Sequence, residues 1–233
     1  MRTQENAEEL AQSMVRTAQG LGIKTKAQIT SMGQPIGSHV GNALEVIESI
    51  EVLQGKGSAD TRNLVILQGG ELLAMTDEQL SPEEGRELIA QVLDNGEALE
   101  KFRLMCVNQG VEEELAQQLV REPERVLPSS QQQTTILSRK EGHVVNVDSM
   151  ACALLAKSHG AGRYALEDIV IPEIGFVFHV AQGMQVQENQ PILTFYHNRE
   201  LSENWPVISH PPEPPTDADE WREIKDKIQY LEK

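Results

Sequence analysis

The residues able to do chemistry gather in one stretch, "TSMGQPIGSHVGNALEVIESIEVLQGKG". Gly33, Gly37 and Gly41, with Pro35, Ser38 and His39 between them, run straight into an apolar segment carrying Glu45 and Glu48. Glycines at this density suit a backbone that turns tightly or closely approaches a neighbour. Glu45 and Glu48 lie three apart, which on a helix gives a shared, solvated face. A second glycine pair, in "QGKGSAD", looks like a phosphate loop. It follows the end of a helix, where free carbonyls repel an anion, so it reads as a C-cap followed by Ser58 capping the next helix. The six histidines show no HxxxH or HxH spacing, which gives a transition-metal site little support. Cys106 and Cys152 sit in no CxxC pair, and Cys152, within "DSMACALLAK", reads as core. "SHGAGR" reads as a structural turn ending in Arg163.

Local pattern supplies the elements that must hold these residues. Ala7, Leu10, Ala11, Met14, Val15, Ala18 and Leu21 recur at helical spacing, with Gly20 near the C-cap, and predict a core-facing first helix. "IKTKAQIT" alternates Ile23, Thr25, Ala27 and Ile29 and predicts a strand. After the glycine loop, Asn42 with Glu45 makes a capping box for a helix that buries Ala43, Val46, Ile47, Ile50 and Leu53. Helix, strand, glycine loop and helix together form an α/β unit, whose sites lie in such loops. Further helices are predicted over 62–75, after Ser81 (Pro82 at N1, Glu84 closing a second box), over 97–109 and over 112–121. "PSSQQQTT" (128–135) breaks the pattern and marks a domain boundary. Beyond it "HVVNV", "DIVIP", "GFVFHV" and "QPILTFYH" read as strands, interrupted by a short helix over 149–157. The tail is a proline-rich linker and a charged helix around Trp221.

Charge narrows the function. With 36 acidic against 20 basic residues, the net charge is −16, which speaks against nucleic-acid or anionic-membrane surfaces. No apolar run reaches the length of a membrane span, and the charged N-terminus is no signal peptide. Two unpaired cysteines suit a reducing cytoplasm.

"ITSMGQPIGSHVGNALEVIES" resembles the segment D-M-x-x-P-L-G-x-x-x-G-N-A-L-E-V-x-E of thymidine phosphorylases and related pyrimidine-nucleoside phosphorylases. Met32, Pro35, Gly37, Gly41, Asn42, Ala43, Leu44, Glu45, Val46 and Glu48 match at the right spacing. The resemblance runs on through "VLDNGEALEKFRLM", "GHVVNVDSMACALLAKSHGAGR" and "GMQVQENQPILTFYH", and ends near Arg199. Gly33, Ile36 and His39 depart from the commoner residues.

This resemblance implies phosphorolysis of thymidine or deoxyuridine to the free base and 2-deoxyribose 1-phosphate, in pyrimidine salvage. It also implies an anion cradle of backbone N–H groups and a lysine, and a base clamp of His, Arg, Ser and Lys. None of these motifs is in this sequence; in the family they precede the helix with which it opens. The chain is therefore expected to represent the C-terminal half, to offer no catalytic or cofactor-binding residue of its own, and to be inactive alone. Relatives also imply a monovalent cation, potassium, held by Glu48 and the carbonyls of Ile36 and His39; hard cations take such oxygen ligands. Because the other ligands would come from the missing half, the solvated-face reading of Glu48 is preferred to it.

The expected fold class is α/β (α+β): part of a mixed-sheet α/β domain over 1–127, a small barrel-sandwich-hybrid (hammerhead-like) domain over 128–204, and a linker with terminal helix over 205–233. Phosphate and a pyrimidine deoxynucleoside are the expected partners of the full-length enzyme, with a homodimer in view and no nucleic acid or membrane. A regulatory, non-catalytic module is the alternative. A biotinyl or lipoyl carrier is disfavoured because "VDSMACA" lacks the hairpin lysine that such a carrier needs, and Lys157 falls at a helix end.

Overall fold

The computed structural model describes residues 3–30 and 34–198, together with the backbone of a strand at Gln229–Leu231. Helix α1 (Gln4–Gly20) opens on Thr3, whose hydroxyl accepts the Asn6 N–H at 3.2 Å. Its apolar stripe was expected to face a core, yet none of its residues is buried; Leu10 is 45% and Met14 62% exposed. Periodicity specifies a helix and its apolar side, but burial needs a second surface.

The same reason corrects the expected strand at Ile23. Residues 23–30 run without strand pairing, and Ile23 and Ile29 are exposed. Alternation makes a strand only where a neighbour can take up the backbone hydrogen bonds.

Five longer helices and one short turn follow: α2 (Asn42–Leu53), α3 (Ala59–Thr76), α4 (Pro82–Asp94), α5 (Glu97–Asn108), α6 (Glu113–Arg121) and α7 (Pro123–Val126). The capping box of α4 forms as expected: the Ser81 hydroxyl accepts the Glu84 N–H at 3.2 Å, and Glu84 accepts the Ser81 N–H at 2.9 Å. At α2 the cap sits one residue earlier than expected. Gly41 is the N-cap, its N–H donates to the Glu45 carboxylate at 3.1 Å, and the Ala43 N–H donates to the Pro172 carbonyl at 2.8 Å. With an outside carbonyl taking a first-turn donor, no side-chain cap from Asn42 is needed. The buried side of α2 is Ala43, Leu44, Glu48, Ile50 and Val52, so the expected stripe of Val46, Ile47 and Leu53 is only half-buried.

The strands are β1 (His39–Val40), β2 (Gln132–Leu137), β3 (Gly142–Asn146), β4 (Gly175–Phe178), β5 (Gln185–Val186), β6 (Pro191–His197) and β7 (Gln229–Leu231), with α8 (Ser149–Ala156) between β3 and β4. One sheet has the order β1-β4-β6-β2 and the other β5-β3-β7, and all pairings are antiparallel. Helices flanking these sheets make an α/β fold.

Within the expected break, "QQTT" (132–135) opens β2, an edge strand whose polar side chains alternate outward. "DIVIP" forms no strand; Asp168 instead accepts the N–H groups of Tyr164 and Ala165 at 2.8 and 2.9 Å, which closes a turn. Trp221 and most of the supposed terminal helix lie outside the described residues, while residues 229–231 pair with β3 as strand.

The core lies beneath the larger sheet. Phe176 and Phe195 stack at 4.6 Å, and Leu155, Ile174, Val186 and Leu193 close around them. Full burial of such side chains is worth about 1.5–3 kcal/mol each. Through β1, the glycine loop is joined to this sheet: His39 lies opposite Val177, and Val40 opposite Phe176.

Candidate functional site

The loop ahead of α2 is fixed at both ends. Gly41 approaches β4 so closely that a Cβ there would strike the Ile174 carbonyl oxygen, at a φ of +132° that side chains rarely adopt. Earlier, Gly37 turns at φ +75°, and its N–H donates to Asp60 Oδ2 at 2.9 Å. A Cβ on Gly37 would collide with the Glu48 carboxylate. Gln34 adds a further tie, its Oε1 accepting the Gln182 N–H at 2.9 Å. Ser31, Met32 and Gly33 lie outside the described residues.

Glu48 is the centre of this arrangement. The Ser38 N–H donates to Oε1 at 2.6 Å and the Ser38 hydroxyl donates to the same atom at 2.9 Å, while the His39 N–H reaches Oε2 at 3.3 Å. Since the Ser38 hydroxyl gives its single proton to Glu48, it accepts from His39 Nδ1 at 2.9 Å. His39 Nδ1 itself lies 3.7 Å from Glu48 Oε1, an ion-pair distance when the ring is charged. Burial pushes the Glu48 carboxyl up, but hydrogen bonding from His39, Ser38 and Ser58 outweighs it and brings the group down to about 2. The carboxylate is therefore ionised at neutral pH, although only 5% of the residue is exposed.

That burial overturns the solvated-face reading of Glu48. Glu45 is exposed as expected; Glu48, a 60° step round the helix, is covered by the returning loop. Ser38 and Asp60 carry most of the loop's fixing hydrogen bonds, and sequence reasoning assigned neither. Ten residues separate Ser38 from Glu48, so no local periodicity links them.

"QGKGSAD" ends one helix and opens the next. The Gly55 N–H donates to the Val52 carbonyl and the Lys56 N–H to the Glu51 carbonyl, at 3.0 and 2.8 Å, which closes α2 with the expected C-cap. Ser58 is the N-cap residue of α3, but its hydroxyl meets Thr61 Oγ1 at 2.9 Å rather than a backbone N–H. Cys152 is buried and its thiol is pushed up to about 12, chiefly by burial and then by Asp148, so it is core and not a nucleophile. Arg163 is exposed.

Cavities border the loop on two sides. One of about 450 Å³ is lined by His39, Leu44, Ile47, Val177 and Tyr196 among others. The other, about 380 Å³, is lined by Gly37, Ser38, Asp60 and His179 among others. His39, Val177, Thr194 and Thr135 follow one another across β1, β4, β6 and β2 and share one face of the sheet. His179 reaches Thr194 Oγ1 through Nε2 at 2.9 Å, and its pKa is lowered by burial first and by the nearby His39 second. The arrangement can hold a backbone loop in one conformation and keep a negative charge beside it. No group of three or more His, Cys, Asp or Glu side chains able to hold a metal occurs among the described residues.

Comparison with known proteins gives a consistent family. Residues 1–99 match the model of the glycosyl transferase family a/b domain, and residues 143–207 match that of the pyrimidine nucleoside phosphorylase C-terminal domain. Residues 197–233 match a domain of unknown function (DUF3470). The pyrimidine-nucleoside phosphorylase of Staphylococcus aureus (strain bovine RF122 / ET3-1) is 36% identical over 200 residues, which cover 86% of this chain and 45% of that protein. Those of strains USA300 and NCTC 8325 / PS 47 show the same identity and coverage. The chain thus spans less than half the length of these curated relatives. Among the described residues, no helix is long and apolar enough to cross a membrane.

Proposed function

The chain belongs to the pyrimidine-nucleoside phosphorylase family, a family of glycosyl transferases, and from that premise we propose that it forms the C-terminal part of an enzyme that phosphorolyses thymidine or deoxyuridine. In that reaction a phosphate oxygen attacks the anomeric carbon, the bond to the base breaks, and the base leaves with the bonding electron pair. The products are 2-deoxyribose 1-phosphate and, once protonated, the free base. The observation that carries this reading is the 36% identity to proteins named pyrimidine-nucleoside phosphorylases over 86% of the chain. The geometry supports it, since Gly37, Gly41 and Glu48 of the family-like motif all serve one locked loop.

Positioning is the contribution of the residues described. Glu48, through Ser38 and His39, holds the loop that runs into α2, and Asp60 holds Gly37. Such fixing matters because misplacement of about 1 Å can cost about a hundredfold in rate. Charge stabilisation on phosphate and departing base falls to a cradle and clamp that this sequence does not contain. Glu48, with the carbonyls of Ile36 and His39, would hold a potassium ion, which would supply further electrostatic anchoring of the same loop. Potassium should then raise the thermal midpoint of the chain over an equal concentration of lithium, and Glu48→Gln should abolish the difference; an unchanged difference removes this ion from the reading.

The test compares two proteins given thymidine or deoxyuridine with phosphate: the chain itself, and the chain joined to the part of the Staphylococcus aureus relative that it does not match. The chain alone is expected to release no base and the joined protein to release it. A folded joined protein inert towards both nucleosides overturns the proposal.

A further inference from the structure

Helix α8 is apolar on every side: its sequence, SMACALLA, has no polar residue after Ser149. A helix of that composition is ordinarily covered all round. Cys152, Leu155 and Ala156 belong to the core, yet the side carrying Met150, Ala153 and Leu154 is open, with Met150 68% and Leu154 45% exposed. These three positions, at i, i+3 and i+4, share one face of the helix. The end of the chain returns to this place. Strand β7 pairs antiparallel with β3, Gln229 opposite Asn146 and Leu231 opposite His143. Because β3 runs on into α8 through the N-cap Asp148, the chain just before Gln229 arrives at the start of that helix. β7 is an addition to the phosphorylase C-terminal domain, whose model ends at residue 207.

We propose that the open face of α8 is a docking site for residues 217–228 of the same chain, which fold onto it as an amphipathic helix and clasp the tail to the C-terminal domain. The pattern of that segment suits the site. Trp221, Ile224 and Ile228 stand at i, i+3 and i+7, one apolar stripe, with Arg222, Glu223, Lys225, Asp226 and Lys227 between them. Asp217, with Glu220 three residues on, is a helix-start signature that follows Pro214 and Pro215. Length agrees too. At about 1.5 Å per residue, a helix from Trp221 to Ile228 rises about 10 Å, against about 12 Å for the whole of α8. A helix of about twelve residues is marginal alone in water and needs such a face to persist. The β3–β7 pairing supplies the anchor, since it holds the segment beside α8 and makes docking an intramolecular step.

Amide hydrogen exchange on the full chain tests it. A free segment of this length keeps little helix of its own, so protection of its amides reports docking. Amides of 221–228 are expected to exchange at least about tenfold more slowly than in an unfolded chain. Met150→Glu with Leu154→Glu, both at exposed positions, should abolish that protection and leave exchange in the β4–β6 sheet unchanged. Ile224→Lys, made in the tail and not in the domain, should free the same amides and also speed exchange in α8. Fast exchange over 221–228 in the unaltered chain overturns the proposal. So does protection that survives the α8 substitutions, or an Ile224→Lys chain in which α8 exchanges as before, since either seats the segment elsewhere. Protection lost on dilution, together with a dimer in sedimentation, would put the segment on a second copy and overturn the clasp within one chain.

Discussion

Ser38 gives both its backbone N–H and its hydroxyl to one oxygen of Glu48, at 2.6 and 2.9 Å, so a single carboxylate fixes the loop that precedes its own helix. Glu48→Gln keeps the shape but removes the charge and turns one acceptor into a donor facing the His39 N–H. A charge-assisted hydrogen bond of this kind is worth about 1.5–3 kcal/mol. The variant should unfold at lower urea with an unchanged denaturant slope, at a loss of about 2 kcal/mol. A loss below about 0.5 kcal/mol, the range of ordinary surface substitutions, would return Glu48 to a passive role.

Acid should undo the same contact. The Glu48 carboxyl titrates at about 2 in the folded chain against an ordinary value of 4.5, so the folded state binds its proton less readily than the unfolded state. Its contribution is then complete above about pH 4.5 and is lost as pH falls towards about 2. A shift of that size corresponds to about 3 kcal/mol. Stability of the chain and of Glu48→Gln, followed from pH 6 down to pH 2, should converge at the acid end. Parallel curves across that range would contradict the assignment.

Much of this was legible from local pattern, and the remainder was not, for a consistent reason. Ser81, Pro82 and Glu84 announce the start of α4 because all the partners lie within one turn. Gly55 and Lys56 announce the end of α2 in the same way. The motif around Gly37, Gly41 and Glu48 marked a loop that hydrogen bonds fix to Glu48 and Asp60. The burial of Glu48 was missed because it depends on a loop folding back over the helix, and Ile23 and Met14 were misplaced because their patterns state a need for cover without supplying it. Gln132 to Thr135 read as part of a break because glutamine and threonine on an edge strand look like loop; the pairing with β6 that makes them a strand comes from some sixty residues away.

Gly37→Ala should be costly for two separable causes. The φ of +75° disfavours any side chain by roughly 1–2 kcal/mol, and the new methyl would displace the Glu48 carboxylate from its donors. A total loss above about 2 kcal/mol is expected. Gly20→Ala, at a helical position with nothing within 4 Å, serves as the comparison and should be neutral or stabilising by up to about 1 kcal/mol. Equal effects at the two positions would show that the loop yields without cost.

The central claim, that these residues belong to a phosphorolytic enzyme, is tested most directly by phosphorus NMR. The chain joined to the unmatched part of its relative would be given thymidine and inorganic phosphate. The expected result is loss of the phosphate signal with matching growth of a 2-deoxyribose 1-phosphate signal and an equal amount of thymine. Thymine appearing without the sugar phosphate would mean hydrolysis instead, and a folded joined protein that leaves the phosphate signal unchanged would contradict the account outright.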